Sequence, residues 1–83
     1  MSYSDFAIAV GLCFREARKK KNLTQTDVGE RVGHTKSWYV DIERGKNNIY
    51  FNDVKNICEL LDIDIDDLAT FASNYKKDPN QKD

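Results

Sequence analysis

The sequence predicts an all-α domain of five helices around one core, on three observations. Apolar residues recur at three- and four-residue spacing in separate stretches, glycine or asparagine follows several of those stretches, and no segment alternates as a half-buried strand would. A first helix is expected from Ser4 or Asp5 to Lys21. Phe6, Val10, Phe14 and Ala17 supply its packing face, and its closing lysines suit the negative end of the helix dipole. Asn22 ends this helix and Leu23 tucks into the core.

Residues 24–45, TQTDVGERVGHTKSWYVDIERG, then read as two short amphipathic helices joined by a tight turn, the grammar of a helix-turn-helix. Thr24 is a good N-cap, with Asp27 three residues later as a second acceptor for orphan backbone donors. Val28 and Val32 make one apolar face. Gly29 sits where two crossing helices must approach closely, and Gly33 stands where a left-handed residue would end the helix. His34 completes the turn and is expected to be exposed. Thr35 caps the second helix, Tyr39 and Ile42 point inward, Lys36, Ser37, Val40 and Asp41 occupy other faces, and Gly45 stops it.

Lys46, Asn47 and Asn48 read as loop. A fourth helix is expected over roughly Asn52 to Leu61, capped by Asn52, with Phe51, Val54, Ile57, Cys58 and Leu61 at helical spacing. Asp62 breaks the run, and Ile63 and Ile65 turn inward. Asp64 and Asp67 form an acidic cap pair for a fifth helix over about Ile65 to Tyr75, whose apolar face is Leu68, Phe71, Ala72 and Tyr75. Residues 1–75 are thus expected to form the domain, and 76–83, with one proline and no large apolar residue, a disordered polar tail.

At 83 residues the chain is near the lower limit at which one core supports folding, either a stand-alone unit or a fragment of a longer protein. Its net charge is only −1, but the charges are polarised. Arg15, Arg18, Lys19, Lys20 and Lys21 precede the motif and Lys36, Arg44 and Lys46 lie inside or just after it, whereas Asp62, Asp64, Asp66 and Asp67 gather in the C-terminal third. Cys13 and Cys58 with a single histidine suit neither a disulfide framework nor a metal site, so a reducing cytoplasmic setting is expected. The apolar stretch from Phe6 to Phe14 is too short to cross a bilayer and lacks the flanks of a signal peptide. No nucleophile with a base and no phosphate loop is present, so neither an enzyme nor a cofactor is expected.

Leu23, Thr24, Gln25, Val28, Val32, Gly33, Ser37, Tyr39, Ile42, Glu43, Arg44 and Gly45 together resemble the pattern of the Cro and lambda repressor-like (Xre-type) helix-turn-helix family, within the five-helix fold of that family. Arg18 upstream, and Asn48 through Leu68 downstream, extend the resemblance over about three-quarters of the chain. The sequence departs from the pattern at Asp62, where glycine is usual, at Tyr50, which replaces a small hydroxyl residue, and at Asp41, where polar or basic residues are common.

The resemblance implies a sequence-specific regulator of transcription, in expectation a repressor, similar to short phage Cro-like proteins or restriction-modification controllers. Double-stranded DNA is its implied partner. Gln25, Thr35, Arg44 and Lys46 are the implied phosphate contacts. Lys36, Ser37, Val40 and Asp41 face bases: Lys36 donating to guanine, Ser37 reading several edges, Val40 meeting a thymine methyl, and Asp41 either accepting from cytosine or steering Lys36 or Arg44. Arg18 and Glu43 fit an ion pair between the first helix and the recognition helix, while Trp38 and Tyr39 pack. A homodimer on a pseudo-palindromic operator, with recognition helices about 34 Å apart, is expected. Its two-fold interface is expected among Leu68, Phe71 and Tyr75, with Phe71 and Tyr75 the better candidates and the first-helix start, Phe6 to Val10, the alternative. The competing reading is a protein-interaction module, antitoxin-like or binding another regulator, with the acidic C-terminal half as contact surface; Asp41 and the slightly acidic pI of about 5.8 speak for it.

Overall fold

Helix termini dominate how this chain is organised. The computed structural model describes residues 4–46 and 49–76. Within them lie α1 (Asp5–Lys20), α2 (Gln25–Arg31), α3 (Lys36–Glu43), α4 (Phe51–Leu61) and α5 (Ile65–Asn74), the all-α, five-helix architecture expected. Ser4, Thr24, Thr35 and Asp64 each accept a hydrogen bond from a backbone N–H of the following first turn, which satisfies donors that a helix start otherwise leaves open.

The first four helices stop in one way. A residue with positive φ follows each: Asn22 (+57°), Gly33 (+83°), Gly45 (+73°) and Asp62 (+57°). The next N–H then bonds back over the helix end, Leu23 to the Arg18 carbonyl, His34 to Gly29, Lys46 to Asp41 and Ile63 to Cys58. This closure ties up the final carbonyls and turns the chain sharply. Asp62 adopts the left-handed conformation in place of glycine, as short polar side chains can, and its carboxylate pairs with Lys21 at the end of α1.

The start of α4 departs from the sequence reading. Tyr50, not Asn52, occupies the cap position, with no side-chain cap bond. The N–H groups of Asp53 and Val54 already bond to the Tyr50 carbonyl, so Asn52 lies inside the first turn. Phe51 is 72% exposed: it sits at the tip of the helix, beyond the point where Val54, Ile57, Cys58 and Leu61 meet the core. Asn47 and Asn48, and the tail from residue 77, lie outside the described residues.

Helix α1 is the hub, packing on α3, α4 and α5, while α2 packs on α3. Ala9, Val10 and Phe14 meet Val28 of α2, Tyr39 and Ile42 of α3, Ile57, Cys58 and Leu61 of α4, and Leu68 and Ala72 of α5 in one cluster. Full burial of each larger side chain contributes about 1.5–3 kcal/mol. Leu68, at 4% exposed, belongs to this core. That corrects its assignment to an interface, since its side chain is already covered within the chain. Ala9 completes the inner face of α1, and Phe6, taken for a core residue, is 50% exposed at the helix start.

Candidate nucleic-acid interface

Local chemistry sets the α2–α3 unit. Thr24 Oγ1 accepts from the Asp27 N–H at 3.0 Å, and Asp27 Oδ2 accepts from the Thr24 N–H at 2.9 Å, a reciprocal capping box. The bond from the Thr24 backbone, and then that from its hydroxyl, hold the Asp27 carboxyl below the usual carboxylate range. The crossing point follows at Gly29, just beyond that box. A Cβ on Gly29 would stand 2.6 Å from the Thr35 carbonyl oxygen, so only glycine lets the start of α3 lie this close to α2. Thr35 Oγ1 then accepts the Trp38 N–H at 3.1 Å and launches α3.

On α3, Lys36 and Ser37 are exposed in the first turn, while Val40 and Asp41 are half-buried. Their spacing places all four on adjoining strips of the helix, opposite the buried Tyr39 and Ile42. Thr35, Arg44 and Lys46 are exposed, and Lys46 donates its backbone N–H to the Asp41 carbonyl at 2.9 Å.

A polar knot fixes how α3 is presented. Arg18 Nε donates to Glu43 Oε2 at 2.7 Å and its Nη2 to Oε1 at 3.3 Å, while Nη1 donates to the Leu23 carbonyl at 2.9 Å. The Gln25 amide donates to the same Glu43 Oε1 at 3.1 Å. The bond to Glu43 raises the Arg18 pKa, against burial that lowers it. Gln25 therefore uses one of its two amide N–H bonds inward and keeps the other. Beside the knot, the Tyr39 hydroxyl finds no hydrogen-bond partner among the described residues. Burial first, and Glu43 next, push its pKa far above the ordinary phenol value, so it stays neutral.

His34 is where the sequence reading fell short. It is half-buried, not exposed: Nε2 lies 3.1 Å from Asp53 Oδ1, and the ring stacks on Trp38 at 3.7 Å with 9° between planes. The turn is thereby tied both to α4 and to α3. The only sequence signal was a histidine four residues before a tryptophan, a spacing that means nothing until the turn geometry is known. Tyr50, at 77% exposed, stands on the approach to α4.

Away from this face, Phe6, Val10, Phe51, Val54, Ile65 and Ala69 line a shallow apolar groove where α1, α4 and α5 meet. Phe71 is 45% exposed, and its ring lies 5.9 Å from that of half-buried Tyr75. The thiols of Cys13 and Cys58 are unpaired, and burial pushes both pKa values up, so they remain protonated and unreactive. Among the described residues no group of three His, Cys, Asp or Glu side chains is arranged to hold a metal ion. No described helix is long and apolar enough to cross a membrane.

Chemically, the exposed face of α3 and its flanks offer N–H donors, hydroxyls and cations on a two-helix frame, with the acid Asp41 among them. Comparison with known proteins gives that frame a context. A helix-turn-helix domain family model matches residues 9–71. An uncharacterised HTH-type transcriptional regulator of Bacillus subtilis, YqaE, is 32% identical over 62 residues, which cover 75% of this chain and 53% of that protein. The chain thus spans about half the length of this relative. Two crystal structures of the clp gene regulator ClgR from Corynebacterium glutamicum align over 82% of this chain, and over 72% and 87% of theirs, with a TM-score of 0.75 and 20% identity. At that identity the likeness is one of fold.

Proposed function

The chain belongs to the helix-turn-helix domain family that its residues 9–71 match, and from that premise we propose that it is a sequence-specific, double-stranded DNA-binding regulator of transcription. The observation that carries this reading is the exposed first turn of α3, with Lys36 and Ser37 at its tip, held at a fixed angle by the knot of Arg18, Glu43 and Gln25. The major groove admits a helix presented in this way, and the residues at its N-terminal end reach base edges. Lys36, Ser37, Val40 and Asp41 read bases. Gln25, through its second amide N–H and the first turn of α2, acts with Thr35, Arg44 and Lys46 on phosphates. The name of the YqaE relative supports the assignment to transcription.

The finer reading is a repressor of the Cro and lambda repressor-like type, acting in the cytoplasm as a homodimer on a pseudo-palindromic operator. Protection mapping on fragments from the protein's own genomic neighbourhood identifies that operator. On it, Lys36→Ala and Ser37→Ala each lower discrimination against altered sites by about 1–3 kcal/mol, while Gln25→Ala and Arg44→Ala weaken all sequences evenly. Wild-type binding by both α3 variants would sink the recognition-helix assignment. A second reading, a protein-interaction module, draws on Asp41 within the α3 face and on the exposed Asp62, Asp64, Asp66 and Asp67. A protein complex insensitive to salt, with no salt-dependent duplex binding, would favour it.

A further inference from the structure

Between α1 and α3 runs a polar cleft whose walls carry Arg15, Arg18 and Lys19 from α1 and Arg44 from just past α3, with Gln25 and Val40 bordering it. Its one acid, Glu43, is engaged through both oxygens, Oε2 by Arg18 and Oε1 by Arg18 and Gln25. The charge of Arg18 is answered there. Arg15, Lys19 and Arg44 are exposed and form no ion pair among the described residues. Within a chain of net charge −1, this is a concentrated surplus of positive charge.

The placement of the surplus is informative. Arg15 and Lys19 stand four apart on α1, so they share a face, and like charges at that spacing destabilise a helix. The helix dipole favours Lys19 in the last turn, but among the described residues no ion pair offsets the repulsion. An anion seated between them and Arg44 would. The cleft also adjoins the face assigned to base reading, because Val40 borders both, and it opens beside Gln25 at the start of α2.

We infer that this cleft takes a backbone phosphodiester of the duplex, gripped by Arg15 and Lys19 from one side and Arg44 from the other, so that α1 belongs to the DNA-binding surface. The inference rests on the DNA-binding reading above. Arg18 acts here as a positioning residue: by neutralising Glu43 it keeps the cleft free of negative charge. The Arg15 and Lys19 contacts carry no sequence information; they fix register and supply affinity through counterion release.

The test is the salt dependence of duplex binding by the full chain. Each phosphate neutralised contributes about 0.9 to the slope of log K against log salt on duplex DNA. Arg15→Gln/Lys19→Gln should therefore flatten the slope by about 1 to 2, weaken operator and unrelated duplex by the same factor, and leave thermal stability close to that of wild type, since relieved repulsion within α1 is set against the loss of a dipole-favoured lysine. Lys55→Gln/Lys76→Gln removes the same charge outside the cleft and should leave the slope near that of wild type. If wild type binds duplex with a steep slope and the α1 double variant keeps it, or if both double variants flatten it equally, the cleft is not a phosphate site. If wild type shows no salt-dependent duplex binding at all, the DNA-binding reading falls and the inference with it.

Discussion

Gly11 of α1 and Glu43 of α3 are in such close approach that a Cβ on Gly11 would lie 2.4 Å from the Glu43 carbonyl oxygen, and 2.7 Å from that of Ile42. The last carbonyls of α3 thus rest on the bare backbone of α1. Glycine inside a helix costs about 0.5–1 kcal/mol relative to alanine, and this contact is what the cost secures.

Gly11→Ala therefore sets a propensity gain against a clash with backbone atoms, which move less readily than side-chain tips. Overpacking of this kind costs about 1–3 kcal/mol, so the variant should be less stable than wild type in urea unfolding. A variant as stable as wild type would mean that α1 and α3 can part without loss.

Just beyond that contact, the Arg18 and Glu43 side chains, 12% and 5% exposed, close the pair at 2.7 Å. Removing one partner strands the other where water reaches it poorly. Glu43→Ala should cost about 3 kcal/mol, the low end for buried pairs because Arg18 retains some exposure. Arg18→Met with Glu43→Leu should recover much of that stability while weakening DNA binding, because the hydrogen bonds that fix the α3 angle are gone. A double-mutant cycle with coupling below about 0.5 kcal/mol, the level of an exposed pair, would remove the pair from this role.

What the sequence disclosed and what it hid divide by range. Thr24 with Asp27, Thr35, Gly33 and Gly45 act on backbone within a few residues, and their roles as caps and stops follow from residue type alone. Gly29 was legible because a helix-turn-helix has only one place for its closest approach. Gly11 was not, since its partner lies 32 positions away on a helix whose crossing angle no local pattern encodes. The same holds for His34 with Asp53 and for the inward bond of Gln25 to Glu43. Phe51 misled for the opposite reason: its spacing from Val54 is that of a core residue, but periodicity does not say where along a helix the core ends.

Acid should act on the α2 start. The bonds from Thr24 lower the Asp27 pKa in the folded state below its ordinary value of 3.8. A depressed carboxylate contributes stability that is fully present above the unfolded pKa and is lost as pH falls through the folded one. Wild type should therefore shed stability below about pH 5 more steeply than Asp27→Asn, with the two curves parallel above it. Curves parallel down to about pH 3 would mean that the capping bond does not discriminate between the charged and neutral acid.

Assembly is the remaining expectation, and the structure narrows its candidates. With Leu68 inside the core, the large exposed apolar side chain of α5 is Phe71, braced by the Tyr75 ring. We expect a two-fold dimer at high micromolar concentration with Phe71 at its centre, because a surface aromatic next to a second ring buries large area at small entropic cost. Phe71→Asp should then weaken self-association by about 2 kcal/mol or more, roughly thirtyfold in Kd. The substitution should spare folding, since 45% of Phe71 already faces solvent. Phe6 and Phe51, at 50% and 72% exposed, flank the apolar groove on the α1 and α4 side and define the rival face. Sedimentation of wild type, Phe71→Asp and Phe51→Asp separates the two. A monomeric wild type, or a dimer that survives Phe71→Asp and dissociates with Phe51→Asp, would move the interface off α5.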